Sequence, residues 1–382
     1  MRWPLAVIAL FAGLLSVGAG AVRAETRRTL AGSVQLDYLA VPTNGSIRDS
    51  SFDGLTVELS LKMSVDFTSN ASVSVKVCFA CHGFEAAAGY VDLRAADELT
   101  VRIGRLTPEF GSFPQRSDPA NHRSNDKPLP YDMGRMLRAS AWNEGILPAP
   151  WVDNGVELLG TRFVEGGRVD YAAYALAGPK ATGEAADFDF IASHSPAQYY
   201  VDNNSEPVIG ARLSGAIDLD ADGHSVAFGA SVMAGHYDVE RELGFLIAGT
   251  DVVVSLPGVV MRAEYLARRT DMALGADPAT RWKYSPGPGG RYDDHFTKHG
   301  FYAEAEVPIG RFDAFARFDG LLRYGNVLAG NELTPRSQLY RSTLGTAIRV
   351  TENIRVKTSV EYYRFNNFDD EVALHLGIAT PF

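Results

Sequence analysis

The chain has only two cysteines, and beyond its first 24 residues it has no long apolar run. With Cys78 and Cys81 alone among 382 residues, a fold held together by many disulfides is excluded. A transmembrane helix needs about 20 consecutive apolar residues. The most apolar later stretch, 246–260, is interrupted by Thr250, Asp251, Ser255, Pro257 and Gly258. The sequence therefore excludes a helical membrane protein.

The one uninterrupted apolar segment lies at the N-terminus. Arg2 precedes an uncharged apolar run over 5–21, and Val22, Arg23 and Ala24 form a cleavage site with small residues on either side of one position. This order is typical of a secretory signal peptide, and the run is short for a membrane span. We expect residues 1–24 to be removed and 25–382 to be exported as the mature chain.

Basic residues are the scarcer charge. The mature chain loses Arg2 and Arg23 with the signal peptide, which leaves 34 lysines and arginines against 46 aspartates and glutamates, a net charge of −12. An acidic protein repels the phosphate backbone, so we expect no nucleic-acid partner.

Apolar and polar residues alternate along many segments, and 55–67 is the clearest. Its odd positions are apolar, and its even positions are polar or charged: Thr56, Glu58, Ser60, Lys62, Ser64 and Asp66. A period of two residues predicts a β-strand with one apolar and one polar face. Lipid outside and a water-filled lumen inside would satisfy such faces. Segments 301–307, 312–319 and 354–363 repeat the pattern.

The last strand alternates from 371 to the C-terminal residue, Phe382. A strand that continues to the end of the chain is expected where the last strand pairs with the first to close a barrel. A C-terminal strand ending in phenylalanine also resembles the assembly signal of bacterial outer-membrane barrels.

Short and long connections alternate between the predicted strands. The short ones, such as 68–70 and 257–258, contain Gly, Asn, Asp and Pro, and the long ones are 41–51, 107–155, 179–206, 270–296 and 325–338. Short turns at one end and long loops at the other are typical of outer-membrane barrels. The sequence predicts one all-β domain over 25–382, an antiparallel transmembrane β-barrel of about 16 strands, the size class of water-filled porins.

The longest connection, 107–155, contains seven prolines, and a loop of this length is usually functional. The segment 101–111, which leads into it, resembles the fifth strand and following turn of the phosphate-selective (O/P-type) porins. That resemblance implies that 107–155 folds into the lumen and narrows it. It makes the following basic residues candidate anion contacts at the constriction: Arg105, Arg116, Arg123, Lys127, Arg135 and Arg138.

The resemblance also implies a function. It predicts a porin in the outer membrane of a Gram-negative bacterium, a homotrimer surrounded by lipid and lipopolysaccharide, that passes small hydrophilic solutes or ions by diffusion. No enzymatic activity, catalytic residue or metal site is expected.

The two cysteines belong to a motif of their own. Cys78, Cys81 and His82 match the C-x-x-C-H pattern of c-type haem attachment, in which two thiols bind the haem vinyl groups and the imidazole binds iron. Both thiols reach one haem only if the strand ends near Phe79 and turns. The second axial ligand could be His122, Met133 or Met136. The alternatives are a Cys78–Cys81 disulfide or a metal-binding pair, and with haem the protein would be a porin-like electron-transfer component.

Overall fold

The computed structural model describes most of the chain after the signal peptide. The described residues are 26–41, 54–80, 83–132, 145–181, 190, 193, 200–220, 223–273, 284–286, 289–328 and 333–382. The predicted signal peptide, 1–24, lies outside them.

Antiparallel strands make up most of the described chain. They are β1 (Arg27–Ala40), β2 (Gly54–Thr68), β3 (Ala71–Ala80), β4 (Gly83–Ala96), β5 (Leu99–Leu106), β6 (Asp153–Val164), β7 (Gly167–Leu176), β8 (Val208–Asp218), β9 (Ser225–His236), β10 (Gly244–Leu256), β11 (Val259–Asp271), β12 (Tyr284–Ser285), β13 (His295–Ile309), β14 (Phe312–Gly325), β15 (Val327–Leu328), β16 (Arg336–Arg349), β17 (Arg355–Phe365) and β18 (Glu371–Pro381).

Sixteen of these strands form one closed barrel in which each strand pairs with its neighbours along the chain. The short strands β12 and β15 pair with each other outside the barrel sheet. The barrel closes between β1 and β18, where Gly32 and Phe382 exchange two backbone hydrogen bonds of 2.8 and 3.0 Å. The predicted class and strand number are confirmed. No helix among the described residues is long and apolar enough to cross a membrane.

The strands have an apolar outer face and a polar inner face. On β18, Leu374, Leu376 and Ile378 are 42%, 59% and 47% exposed on the outside of the barrel, whereas Ala373 and His375 are buried inside it. The same alternation runs along β2, where the apolar positions predicted from 55–67 point outward. A barrel surface of this kind satisfies lipid outside and polar groups inside.

The two ends of the barrel differ. One end, here called the turn end, carries short connections such as 69–70 and 257–258. Several need a glycine at positive φ, for example Gly258 at 72° and Gly310 at 60°, because other residues adopt this conformation only with strain. The opposite end, here called the loop end, carries the long connections, as predicted from the sequence.

The longest connection folds back into the barrel. The strands beside it end at Leu106 and begin again at Asp153, so this segment, called the lumen loop, spans 107–152, three residues fewer than predicted. It contains three single turns of 3-10 helix, Pro114–Arg116, Pro119–Asn121 and Leu129–Tyr131, each with proline at its first or second position. Proline is favoured there because its missing N–H has no partner in the turn.

Candidate functional site: the lumen loop and the passage beside it

Apolar side chains of the lumen loop pack in the centre of the barrel. Phe110, Phe113, Leu129 and Tyr131 are all at most 1% exposed, and they belong to the main buried apolar cluster. The rings of Phe113 and Tyr131 stack with centroids 5.3 Å apart. The loop therefore supplies a core that the inward polar faces of the strands do not provide.

An acidic residue of the loop binds two arginines of the barrel wall. The Asp126 carboxylate accepts a hydrogen bond of 2.6 Å from Arg317 on β14 and a further hydrogen bond from Arg341 on β16. Asp319 on β14 contacts both arginines, at 3.2 Å and 2.9 Å, and accepts a 3.0 Å bond from the Leu129 N–H. All these charges are buried, so each is balanced by a bonded partner.

The adjoining residues bind the wall where the barrel closes. Asn125 donates to Asp37 on β1 at 2.6 Å, and Gln35 donates to the Asn125 carbonyl at 2.8 Å. Lys357 on β17 donates to the Ser124 carbonyl at 3.1 Å and to Gln35 at 2.9 Å. These bonds hold segment 119–129 against β14 to β1 and fill that part of the lumen.

A second wall carboxylate, Glu264 on β11, holds the start of the loop. It accepts hydrogen bonds from the Ser112 hydroxyl at 2.6 Å and from the Tyr131 hydroxyl at 2.6 Å. Tyr302 on β13 donates to the same carboxylate at 2.5 Å. Burial next to this carboxylate raises the pKa of the Tyr131 phenol well above its usual value, so Tyr131 remains a hydrogen-bond donor at all physiological pH values.

The loop cations predicted as anion contacts face carboxylates of the wall. Arg116 lies 3.4 Å from Glu304, Arg123 3.1 Å from Asp313, and Lys127 3.8 Å from Glu58. Arg105 is buried on β5, and Arg135 and Arg138 lie outside the described residues. A role of these six residues in anion binding stays a prediction. The geometry shows that Arg116, Arg123 and Lys127 tie the loop to the wall.

Open space remains on the other side of the loop. A cavity of about 150 Å³ separates the loop from β2 to β5. Its wall side carries Lys62, Lys76, Tyr90 and Arg102, and its loop side includes Pro114, Gln115 and Asp118. This space is the passage, and it is the narrowest of the three described cavities of the lumen.

Cations outnumber carboxylates along the passage. Lys76 pairs with Asp118 at 2.5 Å. Arg102 lies 2.8 Å from Asp92 and its guanidinium lies 4.4 Å from the centre of the Tyr90 ring. Lys62 is exposed to the lumen and forms no ion pair with a described residue. Sequence reasoning did not single out these three cations, although the alternation of β2 already placed Lys62 on the polar face.

Two larger cavities share residues with the passage. One of about 460 Å³ lies at the turn end and shares Arg102. The other, about 370 Å³, shares Gln115 and extends along β6 to β10, where it is lined by the charged residues Glu109, Arg168, Asp170, Arg212 and Asp251. Polar and charged groups therefore line the lumen on the β2 to β10 side.

Two titratable groups of the loop have shifted pKa values. Burial raises the pKa of the Glu109 carboxyl, an effect that Arg102 partly offsets. Burial lowers the pKa of the His122 imidazole well below its usual value, and the neighbouring cations Lys357 and Arg116 lower it further. Each shift favours the neutral form of the group.

The described part of the C-x-x-C-H motif lies at the loop end of the hairpin β3–β4. Cys78 is half-buried on the inner face of β3, opposite Ser60, with a free thiol among the described residues. β3 ends at Ala80 and β4 begins at Gly83, so the chain reverses across Cys81 and His82, which lie outside the described residues.

The candidate axial ligands of a haem are only partly described. His122 is buried in the lumen loop, and its Nδ1 lies 3.0 Å from the Ser124 carbonyl. Met133 and Met136 lie outside the described residues. Haem attachment therefore stays a prediction. Among the described residues, no cluster of three or more His, Cys, Asp or Glu side chains is placed to hold a metal ion.

Comparison with known proteins shows the fold only. No protein-family model and no curated protein sequence matches the chain. Solved structures do match. The anion-selective porin of Comamonas acidovorans has 12% identity and a TM-score of 0.58, with 94% of this chain and 100% of that chain covered.

Two further structures are similar over the same extent. The outer-membrane channel DcaP of Acinetobacter baumannii has 12% identity, a TM-score of 0.58 and coverage of 94% and 97%. The OmpT outer-membrane protein of Vibrio cholerae, in its trimer form, has 8% identity, a TM-score of 0.52 and coverage of 94% and 100%. The chain thus has the fold of the 16-stranded barrels of outer-membrane porins.

Proposed function

We propose that this protein is an outer-membrane porin of a Gram-negative bacterium through which small hydrophilic solutes diffuse. The passage between the lumen loop and β2 to β5 carries this proposal, because it is a polar space inside a closed barrel. The exposed apolar side chains on the outside suit lipid, and strands of 8 to 15 residues in the barrel are long enough to cross the apolar layer.

The charge of the passage favours anions as the permeating solutes. Lys62, Lys76 and Arg102 face it from the wall, and Asp118 is the one carboxylate among the described residues that line it. Selectivity depends on the charges at the narrowest point rather than on the net charge of the protein. A preference for anions also agrees with the resemblance of segment 101–111 to the phosphate-selective porins.

The proposal is tested by the conductance of the full mature protein in planar lipid bilayers. We expect discrete conductance steps, and in a KCl gradient a reversal potential that indicates a preference for chloride. Replacing the passage cations in Lys62→Glu with Lys76→Gln should shift the reversal potential toward potassium. Arg291→Glu, in an exposed loop at the loop end, is the matched control and should leave it unchanged.

Two outcomes would contradict parts of the proposal. Protein that folds and inserts but gives no conductance steps would remove the channel function. Conductance steps with the same ion preference in the double variant and the control would mean that ions do not cross at the passage.

Homotrimer formation is part of the same proposal. The outer faces of β2 and β3 carry rows of apolar residues, among them Leu55, Val57, Val75 and Phe79, a surface suited to contact with lipid or with another subunit. A trimer of the intact protein in mild detergent, measured by native mass spectrometry, would support this assembly, and a monomer at all concentrations would contradict it.

A further inference from the structure

Exposed cations lie on the outer face of the barrel at the loop end in one sector only. Arg269 near the end of β11, Arg336 at the start of β16 and Arg364 near the end of β17 are all exposed. On the described outer faces of β1 to β10, the corresponding positions are apolar or uncharged, for example Tyr38, Leu55 and Ile209. The sector from β11 to β17, here called the arginine sector, therefore differs from the rest of the surface.

Aromatic side chains lie between these arginines in the same sector. The Tyr265 hydroxyl is 2.6 Å from His299 Nδ1, and the rings of Phe318 and Tyr340 are parallel with centroids 6.1 Å apart. Phe301 packs against both, at 5.8 and 6.4 Å. Aromatic side chains of this kind lie where the apolar layer meets the headgroups.

Strand register brings the cations to the edge of the aromatic patch. Tyr324 pairs with Arg336 across β14 and β16, and the Arg336 guanidinium lies 5.9 Å from the centre of the Tyr324 ring. Tyr340 pairs with Arg364 across β16 and β17. Directly paired residues in a sheet point to the same face, so Arg336 and Arg364 both project outward beside tyrosines.

The charges of Arg336 and Arg364 are not balanced by carboxylates. Neither residue forms an ion pair with a described residue, whereas Arg269 lies 3.3 Å from Asp271. Asp370, in the loop after β17, accepts hydrogen bonds from the Tyr362 hydroxyl and from the Phe365 N–H at 3.2 Å. Two arginines that face the headgroup layer are therefore available to an anion.

We propose that the arginine sector binds the phosphorylated headgroup of lipopolysaccharide, with Arg336 and Arg364 contacting phosphate. The inference rests on the proposed outer-membrane location, in which the loop end faces the outer leaflet. Guanidinium groups bind phosphate through two parallel hydrogen bonds. The tyrosines and phenylalanines beside them pack on the sugar rings and the first acyl carbons, where their rings are stable.

The test uses full-length mature protein in detergent, freed of bound lipid. Binding of diphosphoryl lipid A, dephosphorylated lipid A and phosphatidylglycerol is measured by native mass spectrometry. The double variant Arg336→Gln with Arg364→Gln should bind diphosphoryl lipid A about 30-fold more weakly, because each arginine near a charged lipid surface contributes a factor of about 5. Arg162→Gln, on the outward face near the turn end, is the matched control and should bind as the wild type does.

Dephosphorylated lipid A gives a test that needs no variant, since the wild type should bind it as weakly as the double variant binds the diphosphoryl form. Equal binding of lipid A and phosphatidylglycerol by the wild type, or undiminished binding by the double variant, would overturn the proposal. Conductance of the same samples separates this result from the porin function, because the double variant should conduct as the wild type does.

Discussion

At the scale of single residues, the interior of the barrel is held by charges that bind one another. Arg341 contacts Asp126, Asp319 and Glu361, and the Glu361 carboxylate lies 3.5 Å from His375 Nε2. His375 Nδ1 lies 2.9 Å from Asp37. A buried charge is stable only with its partners in place. Asp126 matters most here, because it is the member of this network that belongs to the lumen loop.

Replacing Asp126 by alanine should loosen the loop and destabilise the barrel. Arg317 and Arg341 would lose one carboxylate but keep Asp319, so we expect a loss of about 3 kcal/mol in the free energy of unfolding, the lower end for a broken buried pair. Denaturant unfolding of the protein in lipid vesicles measures this value, and bilayer recordings should show a noisier open-channel current.

Asp170→Ala is the control for Asp126→Ala. Asp170 pairs with Arg168 at 3.0 Å in a partly exposed position of the lumen, where an ion pair contributes about 1 kcal/mol or less. Equal losses in the two variants would contradict the assignment of Asp126 as the anchor of the loop.

His122 makes the position of the loop depend on pH. Because burial and the cations Lys357, Arg116, Lys127 and Arg317 lower its pKa, the docked loop holds neutral His122 where a solvated histidine, with a pKa of about 6.5, would take up a proton. The docked state then binds fewer protons than the undocked state, so docking loses stability as the pH falls below about 6.5. Current fluctuations of the channel should increase from pH 7 to about pH 5.

The variant His122→Asn cannot take up this proton, and its current fluctuations should be the same at both pH values. His224→Asn, at an exposed turn where His224 pairs with Asp220, is the control and should respond to pH as the wild type does. A pH response that persists unchanged in His122→Asn would exclude His122 as its origin.

At the scale of elements, the lumen loop and the hairpin β3–β4 contain the features that matter for function. Length and proline content marked the loop in the sequence, and the resemblance to a porin family implied its inward fold. The partners of the loop are residues 80 to more than 200 positions away, such as Asp37, Glu264 and Arg341. No local pattern contains such pairs, so the sequence left open which charges anchor the loop and which face the passage.

The hairpin β3–β4 carries the prediction of covalent haem. If haem is attached, dithionite-reduced protein from its native membrane should show the sharp α-band of a c-type cytochrome, because both haem vinyl groups would be bonded to cysteine. In-gel peroxidase staining should disappear in the variant Cys78→Ala with Cys81→Ala.

Ser60→Ala, opposite Cys78 in the register of β2 and β3, is the control for local disturbance and should keep the stain. A wild-type spectrum without a Soret band would remove the haem prediction and, with it, the electron-transfer alternative. The disulfide and the metal pair would then be compared by counting free thiols before and after reduction.

At the scale of the whole molecule, closure of the barrel depends on a close contact between its first and last strands. The Phe382 ring covers Gly32 so closely that a Cβ at Gly32 would lie 2.5 Å from the ring. The two residues also exchange backbone hydrogen bonds. A side chain at position 32 must therefore displace the C-terminal phenylalanine.

Replacing Gly32 by valine should impair closure and lower the yield of folded barrel. Folding into detergent micelles, followed by the mobility difference between heated and unheated protein in gel electrophoresis, measures this yield. Gly289→Val is the matched control, because a Cβ there meets no atom within 4 Å. Equal yields for both variants would show that the contact with Phe382 is not needed for assembly.

The sequence by itself determined the class of fold, the approximate strand number, the two faces of the clearest strands and the end of the barrel that carries the long loops. These features follow from alternation and turn residues, which are local and repeat along the chain. The unbroken alternation to Phe382 also indicated how the barrel closes, because an exposed last strand needs a partner.

Only the tertiary structure decided which charges face one another. Arg116, Arg123 and Lys127 turned out to lie against wall carboxylates, and the passage is lined instead by Lys62, Lys76 and Arg102. Sequence marks a residue as charged and places it on a face, but the partner depends on the path of a 46-residue loop through the lumen. That path is fixed by many long-range contacts together, and they exist only once the barrel has closed.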